Sequence, residues 1–320
     1  MTRVRNNGGF VGINYSPNTV YQAGIWSIVE HHKYAIGNPT FWNHSVLAID
    51  LLVVGGGGAG GYGRGAVGSG GGGAGGVVYH QNVPIELSTT YTIVIGAATA
   101  RQTSGGAQAG GNDSSINGTF YGYTNNTIVG IGGGFGAAPV QCQNGYRPGG
   151  AGGSGGGGAA CGSGIGGAAL QPSKTMVPSN IFIGGNYGNV GVASGGGGGG
   201  AGAAASGASG GAGIQVNING TATYYAGGGG AGGTGGGAGG GGTGGCYWSA
   251  STDGGTNLGG GGGAGGSAGA ITGGAGGSGV VIFNYPNTFG LAVSTTNSPL
   301  QTYYGANIVY TFNSSGTITF

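Results

Sequence analysis

Apolar positions along this chain come in short bursts at strand period, separated by long stretches with no apolar period at all. Residues 46–54, VLAIDLLVV, alternate so that Leu47, Ile49, Leu51 and Val53 share one face and Asp50 lies on the other, which predicts a strand. Residues 77–96, VVYHQNVPIELSTTYTIVIG, predict two strands joined through the Pro84 region, the second from Tyr91 to Ile95. Residues 114–131 predict a hairpin turning at Asn117-Gly118, and residues 214–227 another turning at Asn219-Gly220, because Asn-Gly accepts the positive φ of a two-residue turn. A β-branched strand follows at Val280 to Tyr285, and the last residues, NIVYTFNSSGTITF, predict a hairpin around Asn313 to Gly316. One stretch reads as helix: GIWSIVEHHKYAIGNPTFW, with Ser27 as N-cap, Glu30 as its capping-box partner and a stop near Gly37-Asn38-Pro39.

Glycine fills the gaps. The 94 glycines and nine prolines make up 103 of 320 residues, a composition that by itself suggests low complexity or disorder. Collagen is excluded because the non-glycine spacing drifts, as in GGGGAGGTGGGAGGGGTGG from Gly227 to Gly245. Disorder conflicts with the charge, since solvated chains carry high net charge and few aromatics, whereas here charged residues are 4% and aromatics 9%. An uncharged chain of this kind must hide its backbone. Glycine allows a left-handed helix of the polyproline II type, three residues per turn, whose N–H and C=O groups all point outward and can pair with neighbouring helices. Ordering a residue costs roughly 1–2 kcal/mol and a hydrogen bond returns about 1, so such a lattice needs packed strands at its ends. The runs LLVV (51–54) and GVVIFNY (279–285) bracket the glycine and are placed to supply them. The expected fold is therefore mostly β with a non-regular glycine-rich core: short strands bracketing a bundle of polyglycine II-type helices, with a small N-terminal helical segment. Three parts are expected, a docking or adaptor segment over 1–45, the glycine-rich domain over 46–285 and a C-terminal β-hairpin tail over 286–320.

Charge and motifs narrow the chemistry. After Lys174 the only charged side chain is Asp253, and there is no basic stripe of the kind nucleic acids and acidic membranes require. No eighteen-residue apolar run and no secretory signal are read, so neither membrane insertion nor secretion is expected. Cys142, Cys161 and Cys246 lack metal-ligand spacing and read as small buried thiols, with a Cys142–Cys161 disulfide as the alternative. His31 and His32 are adjacent and would fall on different helix faces, which argues against a shared metal site. Matches to GxGxxG mean nothing in a glycine-saturated chain, and Lys174-Thr175 has no glycine cradle. The five acids, Glu30, Asp50, Glu86, Asp113 and Asp253, are far apart in sequence, Asp113 reads as a turn residue, and His80 has no evident acid or nucleophile beside it. No enzyme activity, cofactor or metal is expected.

Taken together, LLVVGGGGAGG, YTIVIGAA, GGNDSSING, YYAGGGGAGG, GGAGGSGVVIFNYPNT and the terminal VYTFNSSGTITF resemble the glycine-rich domain of tail-fibre and related virion proteins of tailed bacteriophages, including phages of aquatic bacteria and cyanobacteria. The resemblance covers roughly residues 46–320. The segment GIWSIVEHHKYAIGNPTFW is similar to the leader that precedes this domain, although HHKYAIG stands where a more polar, helix-forming run is usual. The resemblance implies a virion protein made in the host cytoplasm, joined to other tail proteins by its N-terminal segment and assembled as a homo-oligomer, a trimer by analogy. It implies contact with a host-surface glycan or outer-membrane protein through loops at one end of the scaffold. The longer loops, 135–148, 170–192 and 246–258, then supply the candidates: Tyr146, Arg147, Tyr187, Tyr247 and Trp248 to stack on the receptor, and Asn144, Asn186 and Asn257 to hydrogen-bond it. The same aromatics could instead cap the glycine lattice and shield it from water. A different class stays open, a self-assembling extracellular fibril subunit in which Ile308 to Phe320 pairs with an open sheet edge of the next copy. An ice-binding face would need evenly spaced Thr or Ala, which Ala231, Thr234, Ala238 and Thr243 do not provide.

Overall fold

The computed structural model describes residues 47–65, 67–105, 108–120, 123–139, 148–160, 164–171 and 195–320. The expected N-terminal helix and docking segment lie outside these residues, as do Cys142 and Cys161. Fourteen strands are formed: β1 (Leu47–Val54), β2 (Gly63–Arg64), β3 (Val77–Ile85), β4 (Thr90–Val94), β5 (Ser114–Phe120), β6 (Tyr123–Gly130), β7 (Ile214–Val216), β8 (Thr223–Tyr225), β9 (Ala270–Ile271), β10 (Val280–Pro286), β11 (Ser294–Thr295), β12 (Leu300–Tyr304), β13 (Asn307–Phe312) and β14 (Gly316–Thr319). Among the described residues there is no α-helix, only a short 3-10 turn at Asn287–Phe289. The fold is mostly β, with a glycine-rich region that forms no regular secondary structure.

Ten strands make one sheet in the order β11-β14-β4-β5-β3-β1-β10-β13-β12, with β6 also on β5. The alternation read in β1 holds: Leu47, Ile49, Leu51 and Val53 enter the inner core, while Asp50 accepts the Asn82 N–H at 3.0 Å. β10 lies antiparallel beside β1, Val53 opposite Val281 and Leu51 opposite Phe283, so the two bracketing runs are direct neighbours. The sheet curls into a half-barrel, and its filling is aromatic. The Phe320 ring lies 5.9 Å from Tyr91, 5.8 Å from Phe283 and 5.3 Å from Tyr285, joining strands from opposite ends of the sheet order. Burial pushes the Tyr91 hydroxyl up to about 12 and raises that of Tyr285 as well. The opposite face of the central strands, Leu52, Val54, Val280, Ile282 and Val309, is covered by Val216, Ile218 and Tyr225 of the β7–β8 hairpin and by Ala74, Ala201 and Ala226 of the glycine runs.

Several local expectations change. Asn117-Gly118 is not a turn; it lies inside β5, and the chain reverses between the paired residues Phe120 and Tyr123. Glycine serves there for close approach, since a Cβ on Gly118 would run into the ring of Tyr91. Pro84 sits within β3 opposite Ala48, and the reversal falls at Leu87-Ser88, where Ser88 takes φ +60. The second hairpin holds, with Gly220 at φ +87, but six residues rather than two separate β7 from β8. The terminal strands do not pair with each other. β13 lies between β10 and β12, and β14 lies between β4 and β11, so the tail completes the sheet instead of hanging from it. Alternation and turn residues predict strands but do not choose their partners. Both edges of β13 and β14 are occupied within the chain, which removes residues 308–320 as free donor strands for a fibril.

Between the strands, glycine runs pair through their backbones with a period of three. Gly55, Gly58 and Gly61 donate to the carbonyls of Gly76, Gly73 and Gly70; Gly57 and Gly60 donate to Gly277 and Gly274; Gly56 and Ala59 donate to Asn112 and Ala109. Successive residues of one run thus address three different neighbours. The buried run 70–76 shows the full environment. It donates to 131–137, to Gly196 and Gly199, and to Gly259 and Gly262, and it accepts from 55–61, from Ser154 and Gly157, and from Gly229. Three runs receive its N–H groups and three others donate to its carbonyls, so it is surrounded. These two runs have a sheet end and a far end: 55–61 leaves β1 and 70–76 returns into β3, placing Gly61 and Gly70 away from the main sheet, where the short strands β2 and β9 pair.

Candidate functional site

Among the described residues the far end carries the most exposed aromatics. The run through Gly245 is held by its N–H on the Ala264 carbonyl at 2.7 Å, and the chain then breaks into a turn at Cys246. The Ser249 hydroxyl closes that turn, accepting the Cys246 N–H at 2.9 Å and donating to the Cys246 carbonyl at 2.7 Å. Tyr247 occupies the turn with φ +46, and its carbonyl accepts the Ala268 N–H at 3.1 Å. The result is a backbone fixed on both sides with its side chains outside: Tyr247 is 69% and Trp248 76% exposed. The Trp248 ring lies close to Gly269, where an added Cβ would meet its Cζ3 at 2.9 Å.

Gly269 leads into Ala270, which pairs with Arg64 across β2 and β9. Arg64 is exposed beside this tip, and sequence reading missed it because nothing in YGRGAV marks a strand that pairs 206 residues further on. Cys246 is free and exposed, which corrects the reading of all three cysteines as buried thiols. It opens a surface turn, where burial is not available.

The remaining candidates separate. Asn257 lies at the sheet end: its neighbour Leu258 packs on the hydrophobic face that holds Val54, and the Gly259 carbonyl accepts from Gly75, just before β3. Its N–H donates to the Ser278 hydroxyl and its Oδ1 accepts from the same hydroxyl, both at 2.9 Å, while φ is +59. Asn257 is thus a half-buried turn residue at the end opposite Tyr247 and Trp248. Asn in a glycine-flanked turn is the signal that could have placed it there. Asn144, Tyr146, Arg147, Asn186 and Tyr187 lie outside the described residues. The described flanks of the first three, Ala137 and Pro148-Gly149, stand at the far end, since Ala137 accepts from Gly70 and donates to Gly157.

Charge plays a small part in this arrangement. Arg101 bonds Asp253 at 2.9 Å with both side chains nearly half exposed, and the second Asp253 oxygen accepts the Ala275 N–H at 2.7 Å. Asp113 caps a glycine run, accepting the Gly132 N–H at 2.7 Å, a contact 19 residues along the chain rather than the local turn read for it. Among the described residues no group of three His, Cys, Asp or Glu could hold a metal ion, and no helix is long and apolar enough to cross a membrane. A family model described as a glycine-rich domain matches residues 37–286, well over half of the sequence. The chain belongs to this family. The matched region of the glycine-rich domain takes in β1 to β10 and every glycine run described above, whereas β11 to β14 follow it. No curated protein and no solved structure matches the chain.

Proposed function

We propose that this glycine-rich protein is a structural component of a tailed-phage virion, a tail-fibre or tail-tip protein that recognises and attaches to the host surface through loops on a rigid scaffold. The observation that carries the reading is the Tyr247-Trp248 pair, largely exposed at the far end of a nearly uncharged lattice whose central runs, 55–61 and 70–76, are buried. Exposed aromatics on a fixed backbone suit stacking on sugar rings or on outer-membrane protein loops, and cost little side-chain entropy on binding. The glycine runs are read as left-handed polyglycine II-type helices, supported by the period-three exchange of hydrogen bonds with different neighbours. At the ~3.1 Å rise of such a helix, the seven steps from Val54 to Gly61 carry the tip roughly 20 Å beyond the strands. The N-terminal segment joins the protein to other tail components, and the virion holds it as a homo-oligomer.

The test is binding of fluorescently labelled full-length protein to intact aquatic bacteria, cyanobacteria among them, and to arrays of their surface glycans. Trp248→Ala and Tyr247→Ala should lower affinity at least about tenfold, the size expected of an interface hot spot, with unchanged melting temperature. Binding that survives both changes would remove the tip from the contact, and absence of binding to every cell and glycan tested would count against attachment itself.

A further inference from the structure

We infer that the open edge of β12 is a docking face for a second copy of this chain, strand against strand about a twofold axis. Among the described residues the sheet order ends at β12, which pairs with β13 along one edge and presents five residues, Leu300–Tyr304, with no strand partner along the other. Exposed sheet edges are templates for further pairing, and proteins that stay apart guard them with lysines, bulges or a covering segment. This edge has no charged guard, because residues 254–320 contain no Asp, Glu, Lys, Arg or His. The strand itself is apolar where it meets water: Leu300 and Tyr303 are both more than half exposed.

The strand is also complementary to itself. Gln301 and Tyr303 lie opposite Tyr310 and Ile308 and so share the inner face, whereas Leu300, Thr302 and Tyr304 share the outer one. Antiparallel pairing centred on Thr302 sets Leu300 against Tyr304 of the second copy, and Tyr304 against its Leu300. It also matches Gln301 with Tyr303, a pair that already bonds within one strand at 3.4 Å. Aromatic–aliphatic cross-strand pairs are favourable, and the lack of charge leaves nothing to oppose the approach. Such an interface is isologous and closes at two copies, in place of the trimer that the phage resemblance implies. It goes beyond the attachment reading and does not depend on it, since the pairing strands belong to the sheet and leave Tyr247 and Trp248 free.

Sedimentation and hydrogen exchange on the full chain test it. The wild-type protein should sediment as a dimer, with protection of the 300–304 amides rising with protein concentration. The double variant Leu300→Lys/Tyr303→Lys should dissociate at least tenfold more readily at unchanged melting temperature. A wild-type monomer at about 100 µM would overturn the proposal, because a working interface should be tighter than that. So would a dimer that persists in a folded double variant. Protection of 300–304 that is equal at all concentrations would overturn it too, showing that the same chain covers the edge. If the double variant does not fold, the concentration dependence of wild-type exchange decides alone.

Discussion

The half-barrel and the glycine lattice solve the same problem with opposite means. In the sheet, order is fixed by side chains: Phe283 packs against Phe312 and Phe320, Tyr91 against Phe120 and Phe320, and each strand takes the register its apolar face dictates. In the lattice, order is fixed by the absence of side chains. A Cβ built on Gly229 falls on the carbonyl oxygen of Gly262, and one on Gly261 falls on that of Gly72. The sheet tolerates a change that keeps volume, whereas the lattice tolerates none where a carbonyl already fills the place of the Cβ, as at Gly229 and Gly261, because backbone cannot rotate away as a rotamer can. Neither part stands alone: Ala74, Ala201 and Ala226 belong to the lattice yet form part of the hydrophobic layer on the sheet.

That contrast orders the expected effects. Gly229→Val and Gly261→Val should be the most damaging, costing more than the ~1–3 kcal/mol of ordinary overpacking and abolishing the cooperative thermal transition. An unchanged melting temperature in both would erase the distinction between the regions. Next comes Phe283→Ala, a cavity in the aromatic filling, expected at about 3–5 kcal/mol by chemical denaturation. Alkali should follow. A phenol whose folded pKa is raised binds its proton more tightly in the folded state, so its contribution is complete below the unfolded value near 10 and is lost as pH rises towards the folded value of about 12. Melting temperature should hold to about pH 10 and then fall, and Tyr91→Phe should blunt that fall. The smallest effects belong to exposed positions. Gly235→Ala, where nothing lies within 4 Å of the added carbon, and Arg101→Ala, which breaks a half-exposed ion pair, should each change stability by no more than about 1 kcal/mol.

The sequence spoke clearly where side chains act locally. The face of β1 follows from period-two alternation, and strands at both brackets follow from LLVV and GVVIFNY flanking the glycine; that the two lie side by side is seen only in the fold. Partner choice was hidden, since NIVYTFNSSGTITF looks like a hairpin whether its strands meet each other or, as here, close a sheet from both ends. The turn at Asn117-Gly118 was misread because glycine has two uses, positive φ and close approach, and only the position of the Tyr91 ring tells them apart. The same ambiguity scattered the site residues. Tyr247, Trp248 and Asn257 are ten residues apart at most, yet the stretch 249–256 carries the chain from one end of the lattice to the other between them. Composition could suggest a lattice of paired backbones; which run neighbours which is written in carbonyl positions that no side chain records.

Hydrogen exchange across residues 55–76 in the full chain tests the central claim most directly. Gly70 to Gly76 donate all seven of their N–H groups to neighbouring runs and are buried, so they should exchange as slowly as the amides of β1, opening only with global unfolding. Exchange of the glycine run at unstructured rates while β1 and β10 stay protected would contradict the lattice and leave the sheet as the only ordered part of the domain.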